Sequence, residues 1–203
     1  MNKILTYGLV GLLIIFGAYA VTKDKNVDDS NAIFEELNTF EYLSFNGIIK
    51  EVLDHKELPS LIVENKDNPD NVIVFHIPEQ VILLDQEKQE FIEANSFKAG
   101  QEITAYYPGN MPMALSMPPQ LTPKVIVANS KEYSGSIHVD RFNDDLVSTD
   151  GFLKIKLNSE VKIINQDGKE TSEDLRNKDL VVFYGAATRS IPAQTTPDKI
   201  IVL

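Results

Sequence analysis

Ser116-Met-Pro-Pro-Gln-Leu-Thr-Pro123 and Ser190-Ile-Pro-Ala-Gln-Thr-Thr-Pro197 are two readings of one phrase, Ser-x-Pro-x-Gln-x-Thr-Pro. An eight-residue phrase repeated in register implies a repeated structural unit, so the chain is expected to hold two copies of one small module.

Working outward, the match extends on both sides. Phe97-Lys-Ala-Gly-Gln-Glu-Ile-Thr-Ala-Tyr106 aligns without a gap on Leu175-Arg-Asn-Lys-Asp-Leu-Val-Val-Phe-Tyr184. Earlier, Val81-Ile-Leu-Leu-Asp-Gln86 matches Val161-Lys-Ile-Ile-Asn-Gln166. Each unit is expected to open with aromatic-x-Gly, at Phe45-Asn-Gly47 and Tyr133-Ser-Gly135. Each is expected to close with an apolar run, Val125-Ile-Val127 or Ile200-Ile-Val202. The units are residues 42–129 and 130–203.

Short apolar runs bounded by turn residues predict strands. In the first unit they fall at Phe45–Leu53, Leu58–Glu64, Val72–Ile77, Val81–Leu84, Glu102–Tyr107 and Lys124–Ala128. Helix-forming residues fill Gln86–Phe97. In the second unit strands are expected at Tyr133–Phe142, Gly151–Leu157, Val161–Asn165, Leu180–Tyr184 and Lys199–Leu203, with one helical turn over Ser172–Lys178. Several strands with one short helix before the last two suit a mainly β fold, a tandem duplication of a small five-stranded barrel of the OB type. A β-sandwich is the alternative architecture.

The amino terminus speaks to compartment. Lys3 is the one charge before Lys23, and the apolar run Ile4–Ala20 ends in Ala18-Tyr19-Ala20. A positive start, an apolar core and a small-x-small end read as a secretory signal, residues 1–20, cleaved after Ala20. The same run is almost long enough to be an uncleaved membrane anchor. Either way the rest of the chain lies outside the cytoplasm, and membrane contact is expected only through residues 4–20. Residues 21–41 read as a polar spacer and a short helix, with Ile33, Leu37 and Phe40 on one face.

The chain has 19 basic and 30 acidic residues, a net charge of −11. Such a surface repels polyphosphate, which argues against nucleic-acid partners. It has no cysteine, hence no disulfide framework and no thiol chemistry.

Phe45-Asn-Gly47, Val81-Ile-Leu-Leu-Asp85, Lys98-Ala-Gly-Gln-Glu-Ile-Thr-Ala-Tyr-Tyr107, Met117-Pro-Pro-Gln120 and Val125-Ile-Val127 together resemble an uncharacterised β module of secreted proteins from Gram-positive bacteria. The likeness rests on the Ala-Tyr-Tyr strand and the Pro-Pro-Gln loop, and covers most of the first unit. The second unit looks like a diverged copy carrying Ile191-Pro-Ala-Gln194. Such modules sometimes accompany copper-amine-oxidase-like amino-terminal domains, for which this sequence has no counterpart. The resemblance implies a location and a domain type, and brings no catalytic residues or cofactor.

Four groups of residues invite a chemical reading. Met111, Met113 and Met117 share one loop, and thioether clusters are soft ligands that select Cu(I). The second unit carries Ala187, Arg189 and Ile191 there, so the loop does not require methionine, and Met117 reads equally as an apolar anchor. Histidines 55, 76 and 138 share no metal-ligand spacing among themselves. The acidic turns around Asp67, Asp140–Asp150 and Asn165 do not fit a calcium loop, and turn chemistry explains them. The doubled loop itself is the best binding candidate: Gln120 and Gln194 offer amides beside rigid prolines, with Tyr106, Tyr107 and Tyr184 on the preceding strands.

No nucleophile elbow, phosphate-cradling glycine loop or zinc-protease motif is present. The sequence therefore reads as a non-enzymatic module at the cell surface that binds an extracellular protein, peptide or cell-wall glycan. The alternatives are a copper-binding Met loop and a small extracellular hydrolase.

Overall fold

Phe45, Gly47 and Ile49 are buried while Ser44, Asn46 and Lys50 are exposed, an alternation that makes one strand with one inner face. This is β1 (Tyr42–Leu53). The computed structural model describes residues 41–203 except 56, 57 and 115. The apolar run, the spacer and the helix expected near Phe40 therefore lie outside the described residues.

Gly47 is needed where it stands. A Cβ there would come within 2.5 Å of the Glu64 carbonyl oxygen and of a Val63 methyl. β1 pairs antiparallel with β2 (Ser60–Asn65) on one side and with β6 (Glu102–Pro108) on the other. The register shifts between Ile49 and Glu51, a bulge that bends the strand. β3 (Val72–His76) returns against β2 through a turn in which the Asn65 side chain accepts the amides of Asp67 and Asn68. β4 (Ile82–Asp85) then runs into the two-residue β5 (Glu90–Phe91). Beyond β6 come β7 (Gln120–Leu121), parallel to β3, and β8 (Val125–Ala128), parallel to β4 and antiparallel to β6. The sheet order is β5-β4-β8-β6-β1-β2-β3-β7.

The second half repeats these pairings. β9 (Ser136–Phe142) and β12 (Lys178–Tyr184) are antiparallel, as β1 and β6 are. β11 (Lys162–Ile164) is parallel to β14 (Lys199–Val202), as β4 is to β8. β12 is antiparallel to β14, as β6 is to β8. β10 (Leu153–Ile155) is parallel to β13 (Ala193–Thr195), as β3 is to β7. Where the first half has β2, the second has only single bridges, Phe142 to Ser148 and Val147 to Lys154.

The mainly β expectation holds, and four details differ. No sheet closes on itself by hydrogen bonding: the order is an eight-stranded sheet, a two-stranded pair and a four-stranded sheet. The architecture agrees with the sandwich alternative at this level. The short helices are missing among the described residues, apart from one 3-10 turn at Ala94–Ser96. At residues 172–178 side chains capture the chain's own amides instead. The Thr171 hydroxyl accepts from Glu173 N–H and the Asp174 carboxylate from Arg176 N–H, after which Asn177 takes a positive φ of 57°. Such local bonds compete with a helix and win here.

The other two differences concern the repeat. Gly135 precedes β9 and does not match Gly47 in mid-strand; an added Cβ there would meet only the neighbouring Tyr133 ring. Along the last strands the gapless alignment slips by one. The Lys124 amide donates to the Tyr106 carbonyl and the Asp198 amide to the Phe183 carbonyl. Phe183, not Tyr184, therefore stands in the place of Tyr106, and Ile126-Val127-Ala128 answers Ile200-Ile201-Val202.

Three apolar clusters hold the chain together. One lies within the first half around Phe45, Leu61, Phe75 and Ile103. Another lies within the second around Phe142, Leu153, Leu180 and Ile200. A third is shared: Leu84, Val125 and Val127 of the first half pack with Val139, Ile164, Val181, Phe183 and Ile201 of the second. The described residues thus form one compact body.

Candidate functional site: the paired proline loops

Both copies of the repeated phrase fold into the same turn. In the first, the Ser116 hydroxyl donates to the Pro118 carbonyl at 2.7 Å; in the second, Ser190 donates to Pro192 at 2.7 Å. Both Met117-Pro118 and Ile191-Pro192 are cis. The base of each turn is clamped across the loop. Ala114 N–H donates to Gln120 O at 2.9 Å, and Thr188 N–H donates to Gln194 O at 2.9 Å. Each loop then joins a parallel strand, as Val74 N–H donates to Pro119 O and Ala193 N–H to Phe152 O. In both loops the residue between the serine and the proline points outward. Met117 is 98% exposed and Ile191 96%.

Exposed apolar side chains are ordinary when scattered singly. These two occupy equivalent positions, each at the apex of a hydrogen-bonded loop, and they are the most exposed of the large apolar side chains among the described residues. The Met117 side chain faces solvent. Ile191 was named in the sequence only as its apolar counterpart.

The two glutamines take different parts. Gln120 Oε1 lies 3.0 Å from His76 Nε2, and His76 Nδ1 lies 2.9 Å from the Ser60 hydroxyl. The carbonyl oxygen can only accept, so the network assigns a proton to Nε2, and the Ser60 hydroxyl lies between two acceptors, His76 Nδ1 at 2.9 Å and the Leu58 carbonyl at 3.2 Å. The histidine thereby ties the first loop to β2 and β3. In the second loop the work passes to Thr188, whose hydroxyl accepts from the Gln194 backbone N–H at 2.8 Å and meets Ser190 Oγ at 2.7 Å. The Gln194 side chain makes no hydrogen bond among the described residues.

The three tyrosine rings go to three different cores. Tyr106 packs on the shared cluster, Tyr107 on the first and Tyr184 within the second. Burial raises all three phenols, Tyr106 to about 12. The three methionines also part company: Met111 rests against the first core, Met113 is 37% exposed and Met117 projects from the apex.

A scan against protein-family models, a search of curated proteins and a search of solved structures each find no match to this chain.

Proposed function

We propose that the chain is a non-enzymatic extracytoplasmic module that binds a protein or peptide partner at a Gram-positive cell surface through its two proline-loop apices. The observation that carries this reading is the pair of nearly fully exposed apolar side chains, Met117 and Ile191, at equivalent points of two braced loops. A braced loop loses little freedom on binding, so an apolar tip on it costs little ordering entropy when buried by a partner. Signal-like residues 1–20 and the acidic surface support an exported protein that avoids polyanions. The absence of catalytic motifs in the sequence supports a binding role.

Each half is further proposed to be a barrel of the OB type. β7 and β8 belong to one segment, separated only by residues 122–124, and Pro123 bends it. Counted as one broken strand, the order β1-β2-β3-(β7, β8)-β6 returns to β1. β13 and β14 offer the same broken strand around Pro197. Side chains filling the centre of such a small barrel leave the connecting loops as the binding surface.

The test uses the purified full chain and Gram-positive cell envelopes that are untreated, protease-shaved or digested with muramidase. Binding is expected to vanish after protease and survive muramidase. The double variant Met117→Ser, Ile191→Ser is expected to bind about tenfold more weakly or worse, about 1.4 kcal/mol, with an unchanged urea midpoint. Wild-type binding by the double variant overturns the loop reading. Loss of binding only after muramidase points to glycan instead.

A further inference from the structure

We propose that His138, Asp140 and Asp150 form a binding site for a divalent transition-metal cation of the zinc type. The sequence placed these residues in separate classes, a lone histidine and an acidic turn. The fold brings them together: a ligand atom from each lies within 4.8 Å of the others. His138 and Asp140 are two apart on β9, so their side chains leave the same face of the strand. Asp150 comes from the turn that follows, and its Oδ2 stands 3.5 Å from His138 Nε2.

Three observations favour a cation over a purely structural cluster. First, His138 Nε2 is shielded from solvent, and Asp150 Oδ2, at 3.5 Å, stands beyond the length of a good hydrogen bond to it. A buried ring nitrogen without a partner is uncommon, and a metal ion satisfies it. Second, two carboxylates share the site. Asp140 is 1% exposed. Its partners are backbone amides: Asp150 N–H donates to Asp140 Oδ2 at 2.9 Å, and Tyr42 N–H reaches Oδ1 at 3.4 Å. Third, Asp150 divides its labour. Its Oδ1 accepts from the Ser148 hydroxyl and from Phe152 N–H, which orients the carboxylate and leaves Oδ2 turned to the imidazole. Such outer bonds are how ligating carboxylates are held.

The dimensions suit a small ion. Ligands about 2.0–2.2 Å from one ion at tetrahedral angles stand about 3.4 Å apart; His138 Nε2 and Asp150 Oδ2, 3.5 Å apart, already meet that spacing, and Asp140 closes on them from within 4.8 Å. Phe152 lies 5.5 Å from the imidazole and Phe142 meets it edge-on at 6.1 Å, walling the site. One imidazole with two carboxylates matches zinc better than calcium, which takes six to eight oxygens.

The experiment is calorimetric titration of the full, chelator-treated chain with Zn2+, and separately with Ca2+. One equivalent of Zn2+ is expected to bind with Kd about 10 µM or tighter, uncontested by Ca2+. Asp150→Asn keeps the Oδ1 bonds and is expected to weaken Zn2+ about tenfold or more; His138→Ala is expected to abolish the site. Because either variant can perturb folding, the wild-type ring signals give a second readout. On adding one equivalent, the His138 imidazole resonances are expected to move while those of His55 and His76 stay. No saturable binding, equal binding by Asp150→Asn, or a response at His55 or His76 instead overturns the proposal.

Discussion

At the scale of single residues, Gly47 and Gln120 carry opposite kinds of constraint. Gly47 is a place where nothing fits: its missing Cβ lets β1 cross beside the Glu64 carbonyl and Val63. Because one of the obstructing groups is backbone, Gly47→Ala cannot be relieved by a rotamer change. It is expected to cost about 1–3 kcal/mol by overpacking, read as a drop in the urea midpoint with an unchanged slope. Gln120 is a place where something must be present. Gln120→Ala removes the acceptor for His76 Nε2 and is expected to cost about 1 kcal/mol. Gln194→Ala, whose amide side chain lacks a partner among the described residues, is expected to leave the midpoint within about 0.5 kcal/mol. Equal losses at the two positions would show that the identical letters do identical work, against the hydrogen bonds seen here.

At the scale of elements, the strands were legible wherever apolar alternation or an apolar run was bounded by Pro, Asn or Gly. β1, β3, β6, β11 and β14 lie close to their expected places for this reason. The short helices were misread because propensity counts residues one at a time, whereas Thr171 and Asp174 hold the amides of Glu173 and Arg176. The slip between Tyr106 and Tyr184 was hidden because both neighbours, Phe183 and Tyr184, are aromatic. The site was legible as a loop but not as a surface. Sequence marks Met117 as apolar, and only the clamped backbone shows that it faces out. β6 makes a testable case of its own. Tyr106 is largely buried, and its phenol is raised from the ordinary 10.0 to about 12. A raised folded value means that the stabilising, protonated form is fully present below pH 10. Its contribution, on the order of 2 kcal/mol, is lost as pH climbs from there through 12. Tyr106→Phe is therefore expected to lose less stability than wild type between those values in urea melts. Absorbance at 295 nm is expected to show one fewer late-titrating phenol. A Tyr106 phenol that ionises near 10 in the folded chain would contradict the burial described for β6.

At the scale of the whole molecule, the shared cluster decides whether two repeats make one folding unit. Each half has a core of its own, so each has the means to stand alone. Yet the faces of β4, β8 and β6 turned away from the first core pack on the matching faces of β11, β14 and β12 through Leu84, Val127, Tyr106, Ile164, Ile201 and Phe183. Polar ties cross the same boundary: the Tyr42 hydroxyl donates to Asp179 at 3.0 Å, and the Lys199 ammonium donates to the Gln89 carbonyl. Domains of fewer than about 100 residues bury a modest share of their surface, so losing a common layer would leave both halves exposed. Coupling follows, and Phe183 is the residue that measures it, being fully buried in that layer. Phe183→Ala is expected to cost about 3–5 kcal/mol. The chain has no tryptophan, so amide hydrogen exchange is the suitable reporter. The variant is expected to lose protection by the same amount at Leu61, Val63 and Ile103 in the first half as at Leu180 and Val182 in the second. Each of these residues is fully buried in the core of its own half and not in the shared layer that holds Phe183. Loss confined to the second half would mean that the repeats unfold independently and that the common layer is a contact between two domains. Equal loss makes the duplicated chain one cooperative body, with its paired loops held in fixed relation for a partner to meet together.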